Sequence, residues 1–274
     1  MPPPVFAGRP KELMTDLFGR YAIVVGDWVR IADLVHLMGL LGVDEQAVRS
    51  TVARMARRGL LTSEVRAGQR GYALTAVALE RIAQADRRIF PSGEPPALAD
   101  GWVLVSFSIP ETERDRRHLL RRRLTWLGLG NLDGGLWLGP ARLRDDVVDS
   151  IRALELDHTC HVFTAHYDAF GDMGVVAREV WDLAAAEQGY RRFLADHRST
   201  LARARRRTVS DEAAYVEYTL ALHQWRELPF DDPDLPAELM PRHWPGPPAL
   251  KLFNELRHRL EPGAFRFVET VTRR

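Results

Sequence analysis

The chain has 274 residues, 46% hydrophobic and 27% charged, with a formal net charge of +1. That length accommodates two or three small domains, each with its own core, and no apolar run is long enough for a membrane-spanning helix. A balance so close to zero excludes a uniformly basic chain, so an anionic partner has to be met by local charge.

The opening "MPPPVFAGRP" lacks the basic and apolar regions of a signal peptide. From there to about residue 90 the pattern is helical, briefly β, then helical again. "KELMTDLFGRYAIV" predicts a first apolar helix and "RIADLVHLMGLLG" a second, with Gly42 in place as the residue after its C-cap. Asp44 stands where an N-cap belongs. A third helix follows through about Arg58, and Gly59 ends it. "LLTSEV" and "GYALT" read as two strands around a tip of Ala67, Gly68, Gln69 and Arg70. Thr75 then caps "AVALERIAQADRRIF". Three helices and a hairpin in this order predict a winged helix-turn-helix over residues 1–90.

Residues 91–101, "PSGEPPALADG", read as a linker rich in Pro and Gly. Beyond it, "WVLVSFSI" predicts a buried strand and "ETERDRRHLLRRRLTWLG" a helix. "NLDGGLWLG" predicts a hairpin around Asp133-Gly134-Gly135, "ARLRDDVVDSIRAL" a helix and "HTCHVFTAHY" a strand. The order βαββαβ over residues 102–170 predicts a ferredoxin-like domain with helices on one face of an antiparallel sheet. Residues 171–274 predict a C-terminal helical domain, the candidate dimer and effector region. Its long amphipathic helix, residues 178–205, offers Trp181, Leu183, Tyr190, Phe193 and Leu194 as core contacts. A second helix spans residues 211–228, a Pro-rich ordered loop residues 229–248, and a last helix residues 249–260. The fold class is therefore α+β and multidomain.

The sharpest signal lies between residues 45 and 75, where six Arg face two Glu. On a helical wheel Val48, Val52 and Met55 share one face, while Gln46, Arg49, Ser50, Ala53, Arg54 and Arg57 point away from it. Small residues at 50 and 53 let the helix sit close in a groove, and Arg can donate two hydrogen bonds to guanine. Arg66, Gln69 and Arg70, at the hairpin tip, are placed to reach phosphates or a minor groove. The competing explanation is a solvated face that happens to be Arg-rich. With the helix order and wing present, double-stranded DNA is the better account.

The same residues carry a family resemblance. "LFGRYAIV…LMGLLGVDEQAVRSTVARMARRGLLTSEVRAGQRGYALT" resembles the amino-terminal domain of PaaX-type repressors of phenylacetate catabolism. "WVLVSFSIPE", "LGLGNLDGGLWLGP", "YRRFL" and "HQWRELPFDDPDLPAELMPRHWPG" are similar to the rest of that family, so the likeness covers nearly the whole chain. One departure is "GQRGYALT", where Gln69 and Gly71 stand at positions more often Arg and Ser or aromatic. The resemblance implies a cytoplasmic homodimeric repressor of an aromatic-acid operon, not an enzyme and without a cofactor, released from its operator by an aryl-CoA thioester, phenylacetyl-CoA in the type case.

Composition offers only candidates for such an effector site. An acyl-CoA needs cations for its phosphates and an apolar slot for its acyl group. Arg114–Arg123 contributes six Arg and one Asp, and Arg191–Arg207 seven Arg and one Asp, yet each equally fits a solvated helix face. In "HQWRELPFDDPDLP", His223, Trp225 and Arg226, with Trp244 nearby, form a candidate effector pocket; the alternative is an Arg226 clasp to Asp231 or Asp232 that pins the loop. His158, Cys160, His161 and His166 alternate faces along one strand and cannot converge tetrahedrally on a metal. An apolar strand would raise the Cys160 pKa rather than activate the thiol, and this lone cysteine fits a reducing compartment. Two rival readings stand beside the repressor: a ferredoxin-like nuclease or acyl-CoA-hydrolysing enzyme fused to a DNA-binding module, and a DNA-binding regulator without a small ligand.

Overall fold

A computed structural model describes residues 10–26, 28–90, 95–168 and 171–273, with side chains throughout except at 22–25. The elements in chain order begin with α1 (Pro10–Val25), β1 (Val29–Arg30), α2 (Ile31–Leu40), α3 (Glu45–Arg57), β2 (Leu61–Arg66), β3 (Gln69–Leu74) and α4 (Ala76–Ile89). Next come β4 (Trp102–Phe107), α5 (Arg114–Leu127), β5 (Gly130–Asp133), β6 (Leu136–Pro140), α6 (Arg144–Ala153) and β7 (Cys160–Ala165). Four helices finish the chain: α7 (Met173–Val180), α8 (Leu183–Arg206), α9 (Asp211–Asp231) and α10 (Gly246–Thr272).

Two compact units divide these elements. The first draws on residues 1–91, 192–226 and 247–274, the second on 92–191 and 227–246. The helices after residue 171, expected as one stretch over 171–274, are divided between the two units. Their apolar faces are shared out: Phe193, Tyr215, Tyr218 and Phe253 are buried in the first unit, Trp181, Leu183, Leu235 and Leu239 in the second.

In the first unit, α1 buries Leu13, Met14, Leu17, Phe18 and Tyr21, a single stripe at helical spacing. α2 stops in a Schellman turn: the Gly42 N–H donates to Gly39 O at 3.0 Å and the Val43 N–H to Met38 O at 3.1 Å, with Gly42 at φ 85°. The buried Tyr215 hydroxyl of α9 donates to Leu37 O at 3.1 Å, and Tyr21 shares a 2.7 Å hydrogen bond with Thr219. α10 runs to Thr272, beyond the end expected at residue 260, passing through Pro262 and Gly263. A Cβ on Gly263 would stand 3.0 Å from Asp211 Oδ1 and 3.1 Å from Ala214 Cβ, so this glycine is kept for a close helix–helix approach and is not a stop.

β1 is a two-residue strand that carries no sequence pattern; it pairs with β3, giving the order β1-β3-β2. The β2–β3 register runs from Leu61↔Leu74 to Arg66↔Gln69. The connection is thus two residues, Ala67 (φ 47°) and Gly68 (φ 75°), whose paired positive φ angles match the right-handed strand twist. Gln69 and Arg70, expected in the tip, are strand residues instead.

In the second unit the sheet order is β5-β6-β4-β7, with every neighbouring pair antiparallel. Period-two alternation sends Val103, Val105 and Phe107 to one face against Leu120 and Leu124 of α5 and Val147 and Ile151 of α6. Trp102 and Leu138 face the other side, where Met173 and Ala177 of α7 and Leu235 and Leu239 cover them. Both faces carry packing, not one as expected. The long helix expected over 178–205 is also broken. Trp181 turns to extended backbone (φ −122°, ψ 140°), its Nε1–H donating to Gly128 O at 3.0 Å, and the Asp182 carboxylate accepts from Ala185 N at 3.0 Å to start α8. Among the described residues no helix is long and apolar enough to cross a membrane.

Candidate nucleic-acid interface

The α2–α3 turn fixes how α3 is presented. Asp44 caps it, accepting from Ala47 N at 2.9 Å. Val48, Thr51, Val52 and Met55 are buried, which turns the opposite side out. Gln46, Arg49, Ser50, Arg54 and Arg57 are exposed together on that side, with Ala53 half-buried between them. Arg58 and Gly59 close the helix, the Leu60 N–H reaching Met55 O at 3.0 Å in a second Schellman turn.

The cations on this face are lightly held. Arg49 pairs with Glu45 at 2.7 Å, but both side chains are more than half exposed, and such an i,i+4 pair contributes only about 0.3–0.5 kcal/mol. Arg54 donates to Thr51 Oγ1 at 2.9 Å. Among the described residues Arg57, Arg58 and Arg70 have no carboxylate partner, which leaves their guanidinium groups available to an external anion.

On the hairpin, cross-strand partners share a face. Arg66 therefore lies with Gln69 on one face, and Arg70 with Val65 on the other. Arg66 pairs with Glu64 at 2.8 Å and lies over the Trp28 ring, 5.4 Å from its centre. Arg30 holds Asp33 at 2.6 Å and approaches Gln69 Oε1 at 3.4 Å. Sequence reasoning missed Trp28 and Arg30. The one signal was Gly71 at a position where a larger residue is usual.

Gly71 is required by packing. A Cβ there would stand 2.2 Å from Trp28 Cε2, so the indole occupies the space a side chain would take. Gly71→Ala is expected to destabilise the chain by about 1–3 kcal/mol through overpacking, as measured by urea unfolding. In a Trp28→Ala background most of that cost should vanish; an equal cost in both backgrounds would contradict the packing account.

The four candidate effector residues have internal partners. Arg226 Nε contacts Asp16 at 2.9 Å and its Nη1 approaches Asp86 at 3.5 Å, while His223 Nδ1 lies 2.6 Å from Asp16. The acids of the Arg226 clasp thus come from α1 and α4 rather than from Asp231 or Asp232; Asp232 instead accepts from the Tyr190 hydroxyl at 2.8 Å. Burial pushes the Asp86 carboxyl up, against the opposing pull of Arg226 and Arg20. Trp225 is buried, stacked on Phe253 and donating to Ile89 O at 2.9 Å. Trp244 belongs to the second unit, edge-on to Tyr190 with ring centres 5.9 Å apart.

The basic stretches are neutralised in part. Arg116 pairs with Glu113 at 2.9 Å, Arg117 with Glu111 at 2.5 Å, Arg191 with Glu187 at 2.6 Å and Arg203 with Glu217 at 3.0 Å, and Arg205 pairs with Glu255. Glu255, held between Arg205 and Arg259, has its pKa pulled down to about 2. Cys160 is buried and its thiol pKa is raised by that burial. Among the described residues no group of His, Cys, Asp and Glu is arranged to hold a metal ion.

Family models match three consecutive stretches: "PaaX-like protein" over residues 9–78, "PaaX protein central Cas2-like domain" over 95–176, and "PaaX-like protein C-terminal domain" over 181–270. The transcriptional repressor PaaX of Escherichia coli (strain K12) is 27% identical over 263 residues, covering 94% of this chain and 82% of that one. In fold, the chain is similar to the uncharacterized protein Rv0674 from Mycobacterium tuberculosis, with a TM-score of 0.59 and 21% identity over 96% of this chain and 99% of that one.

Proposed function

This chain belongs to the PaaX family, and from that premise we propose that it is a dimeric repressor that binds operator DNA through α3 and the β2–β3 hairpin. A relative named as a transcriptional repressor, matched over 94% of this chain and 82% of its own, supports the output. The observation that carries the reading is the single exposed face of α3, where Arg49, Arg54 and Arg57 surround Ser50 while the opposite face is fully committed to the core. Residues 10–90 are read as a winged helix, α3 entering the major groove and the hairpin lying along the backbone. The strand order β5-β6-β4-β7 supports reading the central sheet as ferredoxin-like.

A dimer would place two such helices on half-sites about one helical turn apart. The family resemblance adds an aryl-CoA thioester of the phenylacetyl-CoA type as the releasing ligand. A ligand that alters the spacing of the two helices prevents both from engaging at once, which gives a small molecule leverage over affinity. No catalytic step belongs to this reading.

Substitution separates the two parts of the interface. Arg54→Ala is expected to weaken operator binding by about 1–3 kcal/mol if Arg54 reads a base, with a much smaller effect on random DNA. Arg70→Ala is expected to lower affinity evenly across sequences and to flatten the salt dependence by about one unit. Fluorescence anisotropy on operator and scrambled duplexes measures both. Unchanged operator affinity in Arg54→Ala and in Arg49→Ala would remove α3 from the interface.

A further inference from the structure

We propose that a groove on the second unit, between α5 and the end of α9, is a binding site for an organic anion that carries a planar apolar group. It is lined by His118, Arg121, Arg122, Thr125, Trp126 and Phe230 and is a shallow, open groove of about 530 Å³, a volume comparable to small-molecule sites of roughly 300–1,000 Å³.

Helical spacing builds one side of it. Positions 118, 121, 122 and 125 recur at i, i+3, i+4 and i+7 along α5, so their side chains form one stripe, with Trp126 beside its end. Phe230 meets Trp126 with ring centres 5.7 Å apart and planes 34° from parallel. Arg123 lies over the Trp126 ring, 4.2 Å from its centre, while donating to Ser150 Oγ at 2.9 Å, which fixes the indole from outside the groove.

The charges on this stripe differ from those elsewhere on α5. Arg114, Arg116 and Arg117 each have a glutamate from residues 111–113. Arg121 has only a 3.5 Å approach to Gly134 O, and among the described residues neither Arg121 nor Arg122 has a carboxylate partner. No carboxylate lines the groove either. Two guanidinium groups without carboxylate partners, lining one groove with two aromatic rings, are complementary to phosphate or carboxylate at one end of a ligand and a flat apolar moiety at the other. A solvated face needs no such rings, and a face meant only for a nucleic-acid backbone needs only the charges.

An aryl-CoA thioester is one member of that class. In that form the proposal rests on the ligand-released reading above and gives its effector a place. The test titrates phenylacetyl-CoA, free coenzyme A and phenylacetate into the full chain by calorimetry, alongside Arg121→Gln/Arg122→Gln, with operator binding measured in parallel without ligand. Both arginines are exposed, so the double variant is expected to keep wild-type circular dichroism and unliganded operator affinity. It should bind the thioester about tenfold or more weakly, two charge-assisted contacts having been removed, and free coenzyme A should bind the wild type less tightly than the thioester. Equal thioester binding by variant and wild type would overturn the proposal. So would a loss of DNA affinity in the unliganded variant, which would make the groove a backbone contact. Absence of binding by any of the three probes, with operator binding intact, would overturn the site and leave the DNA reading standing.

Discussion

Arg226→Ala is expected to cost the first unit about 3–5 kcal/mol, the range for breaking a buried ion pair by removing one partner. The Arg226 side chain is 10% exposed and that of Asp16 7%. Without the guanidinium, Asp16 keeps His223 but loses its permanent cation, and Asp86 Oδ1, which has no hydrogen bond of its own, loses the charge that faces it. Arg226 touches α1 and α4 from α9, so the loss acts on three helices at once. Arg226→Lys should recover only part, because an ammonium is a point charge and not a planar fork able to serve two carboxylates. Urea unfolding measures this, read as the shift of the transition that reports the first unit. A loss below about 1 kcal/mol would mean that the pair is solvated, as in surface ion pairs, and would free Arg226 for a ligand.

Trp225→Ala is expected to cost about as much, in the range of 3–5 kcal/mol for truncating a buried Trp or Phe. The ring lies 4.7 Å from that of Phe253 at 6° between planes and 5.4 Å from that of Phe193, so truncation removes both ring contacts at once. Trp225→Phe keeps the stacking but gives up the hydrogen bond to Ile89 O, so it should cost roughly 1–3 kcal/mol for the orphaned carbonyl and the smaller ring. Thermal or urea unfolding of both variants decides. A Trp225→Ala protein as stable as wild type would contradict a core role and return Trp225 to the effector candidates.

What was legible in the sequence follows from how local the causes are. Asp44 and Thr75 as caps and Gly42 and Gly59 as helix ends act within a turn, so residue type and position suffice, and α3 emerges with the expected buried and exposed faces. The apolar run "WVLVSF" likewise reads as a buried strand, and β4 is one, with no residue of it exposed. The failures lie where distant residues decide. β1 is only two residues long and exists because β3 offers it an edge. The last helix is expected to end at residue 260, but the close approach of α9 makes Gly263 useful and the helix continues through it. Trp181 leaves its helix because Gly128 O, far away in sequence, takes its indole N–H.

The candidate sites divide the same way. The outward face of α3 is a property of one helix and was readable from its period. The partners of Arg226 were not: Asp231 and Asp232 are near in sequence, while Asp16 and Asp86 are near in space. The groove at Trp126 and Phe230 joins residues more than a hundred positions apart, and no spacing rule connects them.

The most direct test of the central claim is fluorescence anisotropy of the full chain on the DNA upstream of its own gene. It should be run beside a scrambled duplex, across a salt series, with and without phenylacetyl-CoA. Tight binding to the native duplex that falls steeply with salt, exceeds binding to the scrambled one, and is reversed by the thioester is the predicted result. Affinity no greater for the native than for the scrambled duplex at every salt concentration would contradict it.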